Sequence, residues 1–228
     1  MDAIILAGGR GTRLKPLTDY IPKPLIPINN KPIIEWQIRY LRKFGVDQII
    51  ICTGYKTGQI EDYLERRSNF GAKIRFSVEK KPLGTGGAIK KAAKMIRGNS
   101  FLVLNGDIVT NIDIRQMYKK KNSIALIELK TKYGTVSIHN DKITEFREKK
   151  SVPDVWMNAG IYHLDRDIIP KLPAVGAIEK TTFLRYAKDG NLNGIKFKDP
   201  FWFSIDSHKD LEDCSETLRL KKYRGLAK

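Results

Sequence analysis

Apolar positions along the chain follow two different periods. Short runs rich in apolar residues, Ala3 to Ala7, Gln48 to Thr53, Lys73 to Val78 and Phe101 to Leu104, read as strands, the first of them buried. Between them the apolar residues move to helical spacing. Ile34, Ile38 and Leu41 predict a helix over Pro32 to Phe44, with Gly45 as its stop. Ile60, Tyr63 and Leu64 predict a second over Gly58 to Arg67, and Ala88, Ile89, Ala92 and Ala93 a third over Gly86 to Ile96. Strands alternating with helices imply a mostly parallel sheet. Right-handed crossovers then gather the C-terminal ends of the strands on one edge, where ligands usually sit.

The pattern changes in the second half. Ile124 to Leu129, Thr135 to His139, Lys142 to Arg147 and Trp156 to Leu164 read as strands, and Asn140 with Asp141 suggests a tight hairpin. Arg166 to Leu172 and Glu179 to Lys188 read as helices. Ser207 starts a last helix, with Asp210 three residues on as its capping partner. This half reads as a mixed-strand lid or subdomain built on the same sheet.

Composition narrows the class. The chain has 228 residues, 41% hydrophobic and 29% charged, a globular balance that buries a core without staples. Cys52 and Cys214 lack metal-ligand spacing, and His139, His163 and His208 form no ligand set. No apolar stretch approaches the ~18 residues of a membrane span. MDAIILAGG has no basic n-region, so no signal peptide is expected, and a reducing cytoplasm fits. The net charge of +17 invites a nucleic-acid reading. The basic residues are scattered, however, without an aromatic-interleaved motif. Neither a nucleic-acid nor a membrane partner is therefore expected, whereas small polyanionic substrates would benefit from such a field.

GGRGTRLKPLT, Gly8 to Thr18, follows the first strand directly. Gly8, Gly9 and Gly11 let backbone N–H groups approach an anion, and Arg10, Arg13 and Lys15 add positive charge, which together describe a polyphosphate cradle. The loop lacks the Gly-Lys-Ser/Thr ending of a Walker A motif, and the third glycine of a dinucleotide fingerprint would fall at Leu14. In PKPLIPINNKP, Pro22 to Pro32, the prolines stiffen the backbone and pin Lys23 between Pro22 and Pro24.

These two segments resemble the paired N-terminal motifs of the sugar-1-phosphate nucleotidyltransferases, in particular compact members similar to mannose-1-phosphate guanylyltransferases. The resemblance extends to about residue 215. It implies an α/β, Rossmann-like fold with a mostly parallel mixed central sheet and no C-terminal left-handed β-helix. It also implies one domain over 1–228, with a nucleotide-binding half of about 1–110 and a sugar-phosphate half of about 111–228.

Carried over by resemblance, the nucleotide is held by Leu6, Ala7, Gly8, Gly9, Gly11, Thr12 and Arg13, and Lys23 contacts phosphates at the reacting centre. PLGTGGA, Pro82 to Ala88, matches the loop lining the base pocket, with Gly84, Thr85 and Gly86. Glu79 matches a residue that reads the base edge. A carboxylate there accepts from two N–H donors on guanine but one on uracil or thymine, which leans toward GTP. Asp107 of NGD matches the principal metal ligand, and one or two carboxylates with substrate phosphates suit Mg²⁺. On the sugar side the resemblance assigns Gly134 of a Tyr-Gly turn, Glu148 and Lys149 of EFREK, and Asn158 of NAGIY.

WFSIDS, Trp202 to Ser207, departs from the family pattern, because Ser204 stands where many members have the second metal-binding aspartate. Asp206 resembles a Met-Asp-Thr arrangement of other members and is the expected second ligand, the competing reading being a helix-cap residue. The catalytic set is thus Arg13, Lys23 and Asp107, the metal Mg²⁺ on Asp107 and Asp206, and the partners a nucleoside triphosphate and a sugar 1-phosphate, in a monomer or homodimer. GTP with mannose 1-phosphate is the first expectation. Uridylyl-, thymidylyl- or cytidylyl transfer to another sugar 1-phosphate, or a non-catalytic nucleotide-sugar-binding homologue, are the alternatives.

Overall fold

A computed structural model describes residues 1–131, 133–148, 151–220 and 223. The chain runs β1 (Asp2–Leu6), α1 (Leu17–Tyr20), β2 (Pro27–Ile28), β3 (Lys31–Pro32), α2 (Ile33–Lys43), β4 (Gln48–Thr53), α3 (Thr57–Glu65), β5 (Lys73–Val78), α4 (Gly84–Ala92) and β6 (Ser100–Asn105). It continues through β7 (Ile108–Thr110), β8 (Ser123–Lys130), β9 (Thr135–His139), β10 (Lys142–Arg147), β11 (Ser151–Asp165), α5 (Thr182–Lys188), β12 (Asn193–Phe197), β13 (Trp202–Ser204) and α6 (His208–Arg219).

Seven strands form one sheet in the order β12-β8-β11-β6-β1-β4-β5. The pairs β5–β4, β4–β1, β1–β6 and β8–β12 are parallel, and β11 alone runs against its neighbours. The sheet is therefore mostly parallel and mixed, as the resemblance implied, and strands from both halves of the chain join it. All six residues of β4 are buried, as expected where helices cover both faces. On one face Ala3, Ile5, Ile49 and Ile51 pack with Ile34, Ile38 and Leu41 of α2 and with Ile60 and Leu64 of α3. On the other, Ile4, Ile50, Phe101 and Val103 pack with Ala88, Ile89 and Ala92 of α4 and with Phe183 of α5.

Three features differ from the sequence reading. Arg166–Lys171 and Ile178–Lys180 are 3-10 turns rather than α-helix, and only Thr182–Lys188 completes the second predicted helix. β7 and β12 are strands that the periodicity does not mark, whereas β13 is the apolar strand expected before Asp206, in one sheet with the strand that ends at Asp107. β13 pairs antiparallel with β7 in its own two-stranded sheet, so the segment before Asp206 does not belong to the central sheet. A third apolar cluster, including Leu14, Ile26, Trp36, Val109, Phe201, Ile205 and Leu218, fills the space between this small sheet, the N-terminal loop and α6. The β9–β10 hairpin stands apart from the main sheet, with Asn140 and Asp141 at φ 45° and 61° in its turn. That is the left-handed geometry a two-residue hairpin loop requires.

From β1 the chain winds through β4 to β5, then crosses back to place β6 on the other side of β1. The crevice at such a reversal is where open α/β sheets take ligands. Gly106 closes it from below. Its N–H donates to Leu6 O at 3.0 Å, and a Cβ at this position would fall 2.3 Å from that oxygen. Gly106→Ala is expected to cost about 1–3 kcal/mol of stability, because the obstruction is backbone rather than a movable side chain. A thermal melt checks this, and an unchanged midpoint would mean that the exit of β6 has room to spare.

Candidate active site

Lys23 opens a 3-10 turn, Lys23–Leu25, between two prolines, and its side chain is only 13% exposed. Its ammonium lies 2.9 Å from Asp107 Oδ2 and 3.0 Å from Asp206 Oδ1. Two carboxylates 99 positions apart therefore converge on one cation. Arg13, 74% exposed, adds a second contact to Asp206 Oδ1 at 2.8 Å. Ser204 Oγ donates to Asp206 Oδ2 at 3.2 Å, so the serine supports the carboxylate.

The supports of this cluster lie in the backbone. Ile205 N donates to Asp107 O at 2.9 Å, bolting the Asp206 segment to the turn after β6. Gln37 Nε2, buried in α2, donates to Asn105 O at 2.8 Å and Ile108 O at 3.0 Å and clamps that turn from beneath. The capping box of α6 is made by Ser207 and Asp210, whose carboxylate also accepts from Asp206 N. The cap thus belongs to Asp210, and the Asp206 side chain is turned toward Lys23. Burial alone would raise the Asp206 pKa. The Lys23 hydrogen bond and charge, with the charge of Arg13, outweigh it and hold the carboxyl below the ordinary aspartate value.

Two cavities meet here. One, of about 230 Å³, is lined by Gly9, Gly11, Thr12, Arg13, Lys23 and Asp206 among others. The second, of about 330 Å³, is lined by Gly8, Cys52, Glu79, Gly84, Thr85 and Asn105 among others. They share Leu6, Gly9, Gly106 and Asp107, and Ala7 lines the first. Glu79 Oε2 accepts from Leu83 N at 2.9 Å while its other oxygen faces Gly8. Gly86 is not at either cavity. It is buried, its N–H donates to Gly176 O at 2.9 Å, and a Cβ there would strike Pro173 at 2.6 Å. The close approach that this glycine permits is to the protein's own 173–176 loop. Cys52 borders the second cavity, yet burial, then the charge of Glu79, pushes its thiol up to about 12.

On the far side of β6, Asn158 is exposed at the surface of β11, with Oδ1 accepting from Gly160 N at 2.8 Å and Nδ2 donating to Tyr162 Oη at 3.0 Å. Gly134 and Glu148 lie together at the foot of the β9–β10 hairpin, where Gly134 packs against Glu148 and Phe146. Lys149 lies outside the described residues. Tyr162 and Thr85 both donate to Glu179, a residue that sequence spacing did not single out, since it stands 94 positions from Thr85. Gln37 was missed for the same reason: inside an amphipathic helix it looks like any polar position.

Asp107 and Asp206, both held at the Lys23 ammonium, offer two hard oxygen donors of the kind that suits a divalent cation. Among the described residues no third His, Cys, Asp or Glu joins them. Any further ligands would have to be brought by water or substrate oxygens.

Comparisons with known proteins place the chain among its relatives. The chain is 39% identical over 176 residues to the D-glycero-alpha-D-manno-heptose 1-phosphate guanylyltransferase of Aneurinibacillus thermoaerophilus, covering 74% of this chain and 76% of that protein. It is 34% identical over 228 residues to the mannose-1-phosphate guanylyltransferase catalytic subunit beta of Xenopus tropicalis, covering 92% of this chain and 62% of that longer protein. Its fold matches the crystal structure of HddC from Yersinia pseudotuberculosis complexed with GMP-PN, at 30% identity and a TM-score of 0.75 over 96% of this chain and 99% of that one. The family model for nucleotidyl transferases matches from residue 2 to residue 220. With nearly its whole length so matched, the chain belongs to the nucleotidyl transferase family.

Proposed function

We propose that the chain transfers a guanylyl group from GTP to a manno-configured sugar 1-phosphate. Mannose 1-phosphate is the first acceptor, and D-glycero-α-D-manno-heptose 1-phosphate is the alternative favoured by the higher identity to the heptose enzyme. The observation that carries this reading is the convergence of Arg13, Lys23, Asp107 and Asp206 between two cavities at the β1/β6 crevice.

In this reading the nucleotide lies across both cavities. Its base sits near Glu79 and Thr85, and its phosphates lie over Gly8 to Arg13. An oxygen of the sugar phosphate attacks the α-phosphorus in line. The new P–O bond forms as the bond to the β-phosphate oxygen breaks, and its electron pair leaves with pyrophosphate. Cys52 is no nucleophile, since its thiol stays protonated. Arg13 and Lys23 stabilise charge that moves toward pyrophosphate. Asp107 and Asp206 would hold Mg²⁺, which supplies Lewis acidity and a template when bound. Their pairing with Lys23 supports Asp206, rather than Ser204, as the second carboxylate of the site. Glu148, Lys149, Gly134 and Asn158 are assigned to the sugar phosphate, which makes the half from about residue 111 onward the acceptor side.

The decisive experiment is pyrophosphate release with GTP, UTP, dTTP and CTP, each against mannose, heptose and glucose 1-phosphates. GTP with a manno-configured acceptor should give the highest kcat/KM, and a preference for another base or for glucose would overturn the assignment. Arg13→Ala and Lys23→Ala should each lower kcat by about 10²–10³, the usual loss for one preorganised donor. Near-wild-type turnover at saturating substrates would remove the residue from its role.

Asp206 also makes a prediction about acid stability. Its folded pKa is depressed, so its stabilisation is fully present above the ordinary value of 3.8 and disappears as pH falls through the lower folded value. Asp206→Asn should therefore melt below wild type at neutral pH, and the gap should close as pH drops below that range. A gap independent of pH would mean that the carboxylate charge contributes nothing.

A further inference from the structure

We propose that Glu179 is a positioning residue for the acceptor side of the site: acting through the Tyr162 hydroxyl, it fixes which way the Asn158 amide faces. The inference rests on the assignment of Asn158 to the sugar.

Glu179 belongs to the 3-10 turn Ile178–Lys180, between the 173–176 loop and α5. Its Oε2 accepts from Thr85 Oγ1 at 2.7 Å, and its Oε1 accepts from Tyr162 Oη at 3.2 Å. Thr85 Oγ1 in turn accepts from Ile178 N at 2.9 Å, which returns the chain of bonds to the glutamate's own turn. One carboxylate thus ties the start of α4, at the base-side cavity, to the middle of β11.

The directions of these bonds matter more than their number. A tyrosine hydroxyl has one proton to give. Burial, then the charge of Glu179, pushes the Tyr162 hydroxyl far above the ordinary tyrosine value, so the proton stays. A carboxylate can only accept, so that proton points at Glu179. Toward Asn158 the hydroxyl can then only accept, and Nδ2 faces it at 3.0 Å. At the other end Gly160 N–H can only donate, and Oδ1 faces it at 2.8 Å. A flipped amide would set N–H against N–H at Gly160 and leave Oδ1 facing a hydroxyl whose proton is already committed. The second N–H of Asn158 and its remaining lone pair are thereby presented to the exposed side in one sense only. A sugar hydroxyl is both donor and acceptor, so a fixed sense of this amide discriminates the placement of hydroxyls around the ring.

The β11 backbone makes the arrangement possible. Its pairing with β8 shifts register between Asn158 and Tyr162, and Gly160 sits there at φ 71°. Tyr162 itself is fully buried and edge-on to Phe183, with ring centroids 5.0 Å apart, so its hydroxyl has no freedom to wander.

The test is steady-state kinetics for both substrates in Glu179→Ala, Glu179→Gln, Tyr162→Phe and Asn158→Ala, each with a thermal melt. Glu179→Ala and Tyr162→Phe should raise KM for the sugar 1-phosphate about tenfold, the equivalent of one hydrogen bond's worth of orientation, with KM for GTP changed by less than about threefold. Glu179→Gln retains an acceptor for Tyr162 and should recover most of the loss. Tyr162→Phe keeps the packed ring, so it reports even where Glu179→Ala fails to fold. If Asn158→Ala raises the sugar-phosphate KM but Tyr162→Phe and Glu179→Gln both leave wild-type constants for sugar and GTP alike while Glu179→Ala only lowers the melting temperature, Glu179 is structural and the inference falls alone. If Asn158→Ala leaves that KM unchanged, the acceptor-side reading falls and takes the inference with it.

Discussion

A lysine ammonium held between two aspartates is the constraint on which this molecule is organised. Two carboxylates brought to one point of a partly buried crevice repel each other unless a positive charge lies between them. Lys23 supplies it at 2.9 and 3.0 Å. The demand reaches far into the fold. Asp107 must be held on its turn, which Gln37 and Gly106 do, and Asp206 must be carried in from the other end of the chain, which the β7–β13 pair and Ile205 do. The apolar cluster under these elements, with Leu14, Ile26 and Ile205 in it, packs the phosphate-side loop, the lysine turn and the Asp206 segment as one body.

The same arrangement sharpens the meaning of the chain's strong positive balance. A charge of +17 is the balance of 42 lysines and arginines against 25 acidic residues scattered along the chain. Such charge attracts anions from a distance but fixes nothing in place. Lys23 differs because two prolines set its backbone and two carboxylates hold its end. Arg13 lies between these cases, exposed along its length yet anchored at its tip to Asp206. The long-range field and the local geometry are thus carried by different residues.

Much of the fold was legible in the sequence because its signals are local. β4, β5, β9 and β10 have the bounds that periodicity predicts, and the Ser207–Asp210 cap is where its spacing put it. Short strands escaped, since three residues such as Ile108 to Thr110 cannot establish a period. The resemblance assigned Gly84, Thr85 and Gly86 to the loop lining the base pocket. Gly84 and Thr85 do face a cavity, but Gly86 makes room for the 173–176 loop, and composition cannot tell a ligand from a neighbouring chain segment. Asp206 was found through a motif, and the strand before it lies in a small sheet with β7 rather than in the central sheet. Glu179 and Gln37 left no trace, because a polar residue that holds a distant partner looks like any surface residue until the partner is adjacent.

The order of strands has a consequence for how the molecule comes into being. β1 is synthesised before its two partners, β4 and β6, which begin 46 and 98 residues later and pair with it from opposite sides. Contacts that close loops of this length slow folding relative to local ones. The cluster around Lys23 is more distant still, joining residues 13, 23, 107 and 206. During synthesis on a ribosome, the glycine loop and its lysine therefore wait for their last partner until the chain has passed residue 206. The two aspartates come together on Lys23 only once the segment after β12 has emerged and docked, so the site stays unassembled after the strands β1, β4 and β6 have all been made.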